Sequence, residues 1–244
     1  MHTLLTVSLK TINNIIQPNY CLTCYQRIPG EYQSPLCKEC ITKIEFNLAP
    51  FCLTCGRSLH DLPSVKGICK QCLLKEKPQI IVYYVFKYRQ TIREAIHRFK
   101  YQAQLGLLPF FTNHLLNFYR QHIFPYYKID YISYVPLHAG KLREREFNQA
   151  KLLAKAVARK IEIPLLNLLI RTKYTLPQSE LDENQRWKNV AEAFKLNLCY
   201  AQIIKGKTIL IIDDVVTTRA TLTACARQLK KFNAQVIGFT LAGG

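Results

Sequence analysis

The feature that most constrains this chain is the bunching of its cysteines. Eight of the ten fall between residues 21 and 72 as four CxxC pairs: Cys21/Cys24, Cys37/Cys40, Cys52/Cys55 and Cys69/Cys72. Two cysteines three apart can turn both sulfurs onto one ion at about 2.3 Å, and a second such pair closes a tetrahedral thiolate site with no open position. A secreted disulfide framework distributes its cysteines through the fold, so this clustering reads as structural zinc, two Zn²⁺ ions in all. The intervals are those of zinc ribbons and knuckles, with Gly56 after Cys55 and Gly67 before Cys69 supplying tight turns. They leave two pairings open. Either consecutive pairs share an ion, which is the arrangement expected, or pairs one and three share one ion while two and four share the other. About 50 residues with so little apolar content make a poor core alone, so metal is expected to fix the module's fold. Its role is either that of a stapled folding unit or of a surface for nucleic acid or a partner protein. Cys199 and Cys225 lie among apolar neighbours and are expected as small buried hydrophobes.

Leu4, Leu5, Leu9, Ile12, Ile15 and Ile16 recur at helical spacing ahead of the first pair, predicting a short amphipathic helix that ends before Pro18 and packs on the protein. At Pro78 the composition changes, which divides the chain into 1–77 and 78–244. Ile80 to Phe86 reads as a strand and Thr91 to Tyr101 as a helix, with Ile92, Ile96 and Phe99 on one face and Arg93, His97 and Lys100 on a neighbouring one. Tyr131 to Val135 is a second strand, ended by Pro136. Phe147 to Lys160 is a helix with Leu153, Ala154 and Val157 inward and Lys151, Lys155 and Arg159 as an outward basic row. After Ile161 to Ile170, the polar stretch Arg171 to Asn189 is long enough to be a functional loop. Thr208 to Ile212 is a continuous apolar strand, Thr217 to Lys231 a helix, and Gln235 to Leu241 a last strand. Strands alternating with helices predict an α/β fold whose parallel sheet is covered on both faces.

The segment Ile209-Leu210-Ile211-Ile212-Asp213-Asp214-Val215-Val216-Thr217-Thr218-Arg219-Ala220-Thr221 carries the most chemistry. An apolar strand delivers two adjacent carboxylates to the carboxyl edge of the sheet, where open α/β folds bind ligands. A threonine-rich turn then opens a helix, and its free backbone N–H groups with the hydroxyls of Thr217, Thr218 and Thr221 offer a phosphate site. Twin acids beside a phosphate cradle suit a phosphorylated sugar: the carboxylates accept from ribose hydroxyls and stabilise cationic character at C1. Adjacent acids raise each other's pKa, so their pairing argues for a function.

This stretch resembles the PRPP-binding signature of type I phosphoribosyltransferases, and the resemblance extends along most of the chain to the ComF/ComFC competence proteins. Val135-Pro136-Leu137-His138, followed by Arg143, Arg145 and Phe147-Asn148-Gln149-Ala150, is similar to that group's pyrophosphate-loop segment. Arg171-Thr172, Thr175, Gln178, Leu181, Arg186, Asn189-Val190 and Ala193-Phe194 are similar to its flexible loop. Two positions depart from the pattern: Arg219 stands where the signature has Gly, and Glu146 stands where the group has Gly before Phe-Asn-Gln. The resemblance implies a cytoplasmic protein of natural transformation, with a zinc domain and a phosphoribosyltransferase-like domain, acting on single-stranded DNA or with other DNA-uptake or recombination proteins. It further implies that Asp213 and Asp214 hold the ribose of PRPP or a related phosphorylated nucleotide and its Mg²⁺. Thr217, Thr218, Arg219, Ala220 and Thr221 would hold the 5′-phosphate, and Pro136, Arg143 and Arg145 the pyrophosphate.

The 34 Lys+Arg against 16 Asp+Glu give a formal charge of +18. Four thiolates on Zn²⁺ are net anionic, so two filled sites leave about +14. Residues 1–77 hold nine basic and five acidic side chains and residues 78–244 hold 25 and 11, so the excess lies in the second part. Such a charge favours polyanionic partners. Two functions follow. One is a binding protein that holds a phosphoribosyl ligand while single-stranded DNA lies along Arg93, Lys100, Lys151, Lys155 and Arg159, with tyrosines such as Tyr84, Tyr88, Tyr101, Tyr126 and Tyr127 as stacking faces. The other is an active phosphoribosyltransferase in which a nitrogen acceptor displaces pyrophosphate from PRPP. No apolar run approaches the roughly 20 residues of a membrane span, and Met1 to Lys10 lacks an export signal, which predicts a soluble, cytoplasmic chain.

Overall fold

A computed structural model of the chain describes residues 19–29, 34–60, 62–74, 80–173, 190 and 192–244. The helix expected over 4–16, the boundary expected between 75 and 80 and most of the polar stretch 171–189 lie outside the described residues, apart from their edges.

The cysteine module repeats one device. Cys21 N–H donates to the Gln26 carbonyl and Cys52 N–H to that of Arg57, while Tyr25 N–H and Gly56 N–H donate back to the carbonyls of Cys21 and Cys52. Each knuckle is thus a tight turn that aims two sulfurs the same way. Short helix α1 (Lys38–Thr42) starts at Cys37, whose Sγ accepts from Cys40 N–H. Strands β1 (Ser64–Val65) and β2 (Ile68–Cys69) form an antiparallel hairpin leading into α2 (Lys70–Leu74).

The second part is built on a four-stranded parallel sheet in the order β3-β8-β7-β4, with β3 (Ile81–Lys87), β4 (Tyr131–Tyr134), β7 (Thr208–Val216) and β8 (Gln235–Gly243). A separate antiparallel pair, β5 (Leu169–Arg171) and β6 (Phe194–Leu196), lies beside it. The helices are α3 (Gln90–Tyr101), α4 (Leu108–His122), α5 (Ala139–Arg145), α6 (Gln149–Ile161) and α7 (Ala220–Lys230). Period-two alternation in β7 divides the core. Leu210 and Ile212 join Ile92, Ile96, Phe99, Phe111, Leu115, Leu153 and Val157 on one face. Ile209 and Ile211 join Val82, Leu222, Cys225, Leu229, Leu169 and Phe194 on the other. The predicted parallel sheet, covered on both faces, is present.

Several expectations need correction. β7 does not stop at Ile212 but runs through both acids to Val216, because β8 is equally long and pairs with it out to Gly243. The following helix therefore starts at Ala220, after a bend over 217–219. Helix α6 starts at Gln149, with Asn148 as its cap: the Asn148 side chain accepts from Lys151 N–H. Cys225 is fully buried as expected, but Cys199 is exposed at a one-turn 3₁₀ segment, Leu198–Tyr200. Tyr84, offered as a stacking face, is core.

The two parts interlock. Glu45 and Asn47 lie along β3, with Asn47 N–H donating to the Val85 carbonyl and Lys87 N–H to that of Glu45. The Asn47 side chain, 3% exposed, donates to the carbonyls of Gly56 and Tyr84 and accepts from Ser58 N–H. Gly56 has φ of +72°, and a Cβ there would stand 2.1 Å from the Val82 carbonyl oxygen. Only glycine allows the second knuckle this close to the sheet.

Candidate functional site

The eight cysteines gather into two groups, Cys21/Cys24/Cys37/Cys40 and Cys52/Cys55/Cys69/Cys72, each with all sulfurs within 4.8 Å of one another. Consecutive pairs therefore share a site, and the alternate pairing is excluded. The Cys24–Cys37 and Cys55–Cys69 sulfurs are 3.6 and 3.8 Å apart, close to the edge of about 3.8 Å of a tetrahedron with Zn–S bonds of about 2.3 Å. Burial pushes the Cys21 thiol up, but backbone amides of Cys24, Cys37 and Thr23 outweigh it and bring it to about 6. Cys52 comes to about 7 by the same balance, with amides of Cys69, Thr54 and Cys55. Each group thus holds a thiolate ready for a cation. Four soft ligands with no open position fit structural zinc.

The second feature is a cavity of about 920 Å³ at the carboxyl ends of β7 and β4. Asp213 and Asp214 lie in it together with Thr217, Thr221 and His97, and its cations are Arg93, Lys100, Lys141, Arg145 and Arg171. Lys100 Nζ meets Asp214 Oδ1 at 2.8 Å, with both side chains more than four-fifths buried. Burial disfavours the lysine's charge, and Asp214 more than restores it, so its pKa is raised. Burial, then the Asp214 charge, raises the Asp213 carboxyl to about 7, with Lys100 and Arg171 opposing. The site thus combines a half-neutralised acid pair with a ring of cations, suited to a ligand having both hydroxyls and anionic groups.

The structure sorts the expected site residues. Asp213, Asp214, Thr217, Thr221 and Arg145 line the cavity. Pro136 is buried and ends β4 between the lining residues Val135 and Leu137. Arg143 is exposed on the outer side of α5, whereas Lys141, two residues earlier in the same helix, lines the cavity. Thr218 and Ala220 line no part of the cavity; the Thr218 hydroxyl caps Ala220 N–H at 3.5 Å. Arg219 turns away, its Nη2 donating to the Cys55 carbonyl at 3.3 Å. Both departures from the family pattern keep the backbone that glycine would favour: Glu146 has φ of +64° and Arg219 of +66°. Asn148 and Gln149 serve as braces, donating to the carbonyls of Val135 and Lys100.

The residues expected on a DNA surface divide as well. Lys151, Lys155 and Arg159 form an exposed row along α6. Arg93 is exposed at the cavity rim. Lys100 is corrected: helical spacing put it with Arg93 and His97, but its long stem carries the ammonium inward to Asp214. Tyr101 is 57% exposed, stacked by the Arg145 guanidinium at 4.6 Å and hydrogen-bonded to it. Sequence reasoning missed Lys141 as a lining residue and the inward turn of Arg171 from β5. Tyr88, expected as a stacking face for DNA, follows the end of β3 and lines the cavity.

Fold and site define a class, a double zinc-ribbon-like module joined to a parallel-sheet, phosphoribosyltransferase-like domain with a charged cavity at its carboxyl edge. Comparison with known proteins agrees. The phosphoribosyl transferase domain family matches residues 148–242, and the double zinc ribbon domain family matches residues 12–73. The chain is 28% identical over 209 residues to competence protein F of Haemophilus influenzae, covering 83% of this chain and 87% of that protein. It is 28% identical over 225 residues to competence protein ComFC of Bacillus subtilis, covering 84% and 83%. It is 27% identical over 207 residues to DNA utilization protein YhgH of Escherichia coli, covering 83% and 87%. Over more than four-fifths of its length the chain is thus similar to the ComF/ComFC competence proteins. Among the described residues no helix is long and apolar enough to cross a membrane.

Proposed function

We propose that this chain is a cytoplasmic protein of natural transformation whose cavity holds PRPP or a related phosphorylated nucleotide while single-stranded DNA lies on its basic surface. The carrying observation is the convergence of Asp213, Asp214, Thr217 and Thr221 with inward-facing cations in one cavity. Carboxylates accept from ribose hydroxyls, the turn and helix start receive the 5′-phosphate, and Arg145, Lys141 and Arg171 face the remaining phosphoryl charge. Mg²⁺ would arrive with the ligand, and the oxygens of Asp213 and Asp214 are the hard donors for it, supplying charge neutralisation at the pyrophosphate. The two zinc ions are structural. DNA-uptake or recombination proteins are the partners this role requires.

The test is calorimetric titration with Mg²⁺-PRPP. Wild type binds, and the double variant Asp213→Ala/Asp214→Ala loses binding while keeping two zinc ions per chain, since the thiolate groups are separate from the acids. Unchanged binding in the variant removes the assignment.

A second reading is an active phosphoribosyltransferase. The volume of the cavity favours it, being near the upper end of the range of about 300–1,000 Å³ for small-molecule sites, with room for a nitrogen acceptor beside the sugar. Pyrophosphate release on incubation with Mg²⁺-PRPP and common nucleobases or ammonia establishes turnover. PRPP binding without release leaves the binding role.

A further inference from the structure

Arg219 occupies a left-handed conformation, φ +66° and ψ 0°, at the start of α7, where the family's pattern has glycine. A strained residue of this kind persists only where its surroundings hold it. What holds it is the cysteine module: Nη2 reaches across 164 positions of sequence to the Cys55 carbonyl at 3.3 Å. Its Nε is buried with no hydrogen-bond partner among the described residues. Cys55 belongs to the second thiolate group, which is net anionic when it holds zinc. That end of the contact is rigid, because Gly56 abuts the Val82 carbonyl and Asn47 holds the Gly56 carbonyl. The other end is the bend over 217–219, between two residues that line the cavity, Thr217 and Thr221.

We propose that Arg219 is a positioning residue that couples zinc binding at the second thiolate site to ligand binding in the cavity. With zinc present, the anionic group and the Cys55 carbonyl hold the guanidinium outside the cavity and fix the turn so that Thr217 and Thr221 face the ligand's phosphate. When the knuckle loses its metal, the arginine loses its anchor and the turn its shape. Coupling is reciprocal, so the phosphorylated ligand tightens zinc at that site. This rests on the reading that the cavity takes a phosphorylated ribose.

The experiment is a double-mutant cycle on the full chain: wild type, Arg219→Gly, Cys72→Ser and both together, with zinc content measured and Mg²⁺-PRPP affinity read by calorimetry. Cys72→Ser weakens PRPP about tenfold or more when Arg219 is present and about twofold or less beside Arg219→Gly. Equal losses in the two backgrounds overturn the coupling. Should Cys72→Ser fail to fold, zinc release from wild type to a chromogenic chelator gives the same information. Saturating Mg²⁺-PRPP then slows one of two release phases by about tenfold, Arg219→Lys retains part of that slowing and Arg219→Gly none. Release unchanged by PRPP, in a protein that binds PRPP, overturns the coupling alone. Failure of wild type to bind PRPP overturns both the coupling and the ligand reading.

Discussion

Asp213 is the residue whose ionisation the site turns on. Its carboxyl moves from an ordinary 3.8 to about 7, chiefly by burial and then by the neighbouring Asp214 charge. The folded state therefore keeps a proton that the unfolded chain releases, and this group's contribution to stability is greatest below about pH 4, falls as pH rises and levels off above about pH 7. Ligand binding runs the opposite way, since hydroxyls and cations seek the carboxylate. PRPP affinity is expected to rise about tenfold between about pH 6 and about pH 8 in wild type. In Asp213→Asn it stays low, with only the small rise that the phosphate's own ionisation gives. Calorimetry at the two pH values checks this, and an equal rise in the variant contradicts it. The acids were legible in the sequence because two adjacent carboxylates after an apolar run have few structural excuses. Lys100 was not, because helical spacing fixes where a Cα sits and not where a four-carbon stem carries its charge. Arg219 was legible as an anomaly, but its partner, Cys55, lies 164 residues away, beyond any local pattern.

Among elements, the strands and helices with strong periodicity were readable to within a few residues: β3, β4, α3, α6 and β8. β7 extends four residues past its apolar run because, although charged side chains usually end a strand, the length of β8 prolongs it here. The β5–β6 pair escaped notice because its strands are three residues each and its pairing is set from a distance. This pair matters, since β5 ends in the Arg171 that lines the cavity. Helix α6 separates its duties cleanly. Leu153, Ala154 and Val157 are fully buried, and Lys151, Lys155 and Arg159 are exposed. If this row contacts DNA phosphates, replacing its three residues with Gln weakens binding of an oligonucleotide irrespective of sequence. It also lowers the slope of log affinity against log salt by about two, at about 0.7 for each phosphate no longer neutralised. Fluorescence anisotropy between about 50 and 200 mM salt measures that slope; wild type loses tenfold or more in affinity over the interval. A flat wild-type response discards the electrostatic surface, and an unchanged slope in the variant moves the surface elsewhere.

At the scale of the molecule, the zinc module is built into the second part and is not an appendage. The first thiolate group shares a core with α3 and α4, where Cys21, Ile28, Leu36 and Cys40 pack with Phe99, Leu107 and Phe111. The second is pressed on β3 through Gly56, and Phe46 meets Phe86 at 5.2 Å across the junction. The composition change at Pro78 marked two modules, yet nothing local could show their interlocking, because its contacts join residues far apart in sequence, one buried amide among them. Asn47 makes three hydrogen bonds there, one to the knuckle carbonyl of Gly56, one to Tyr84 of the sheet and one from Ser58. Replacing it with Ala strands a buried carbonyl on each module, and each stranded group costs about 1–3 kcal/mol. Asn47→Ala is accordingly expected to lose about 2–5 kcal/mol in denaturant unfolding. Zinc extraction is the sharper discriminator, since metal binding and folding are one free energy in such modules. In wild type, chelation should lower the unfolding midpoint of the whole chain, as followed by the near-ultraviolet signal of tyrosines in the sheet domain such as Tyr84 and Tyr134. In Asn47→Ala the modules part company, and chelation shifts that signal less than in wild type. An equal shift in both proteins means that the junction is carried by the aromatic contacts and β3 pairing, with the amide only filling space.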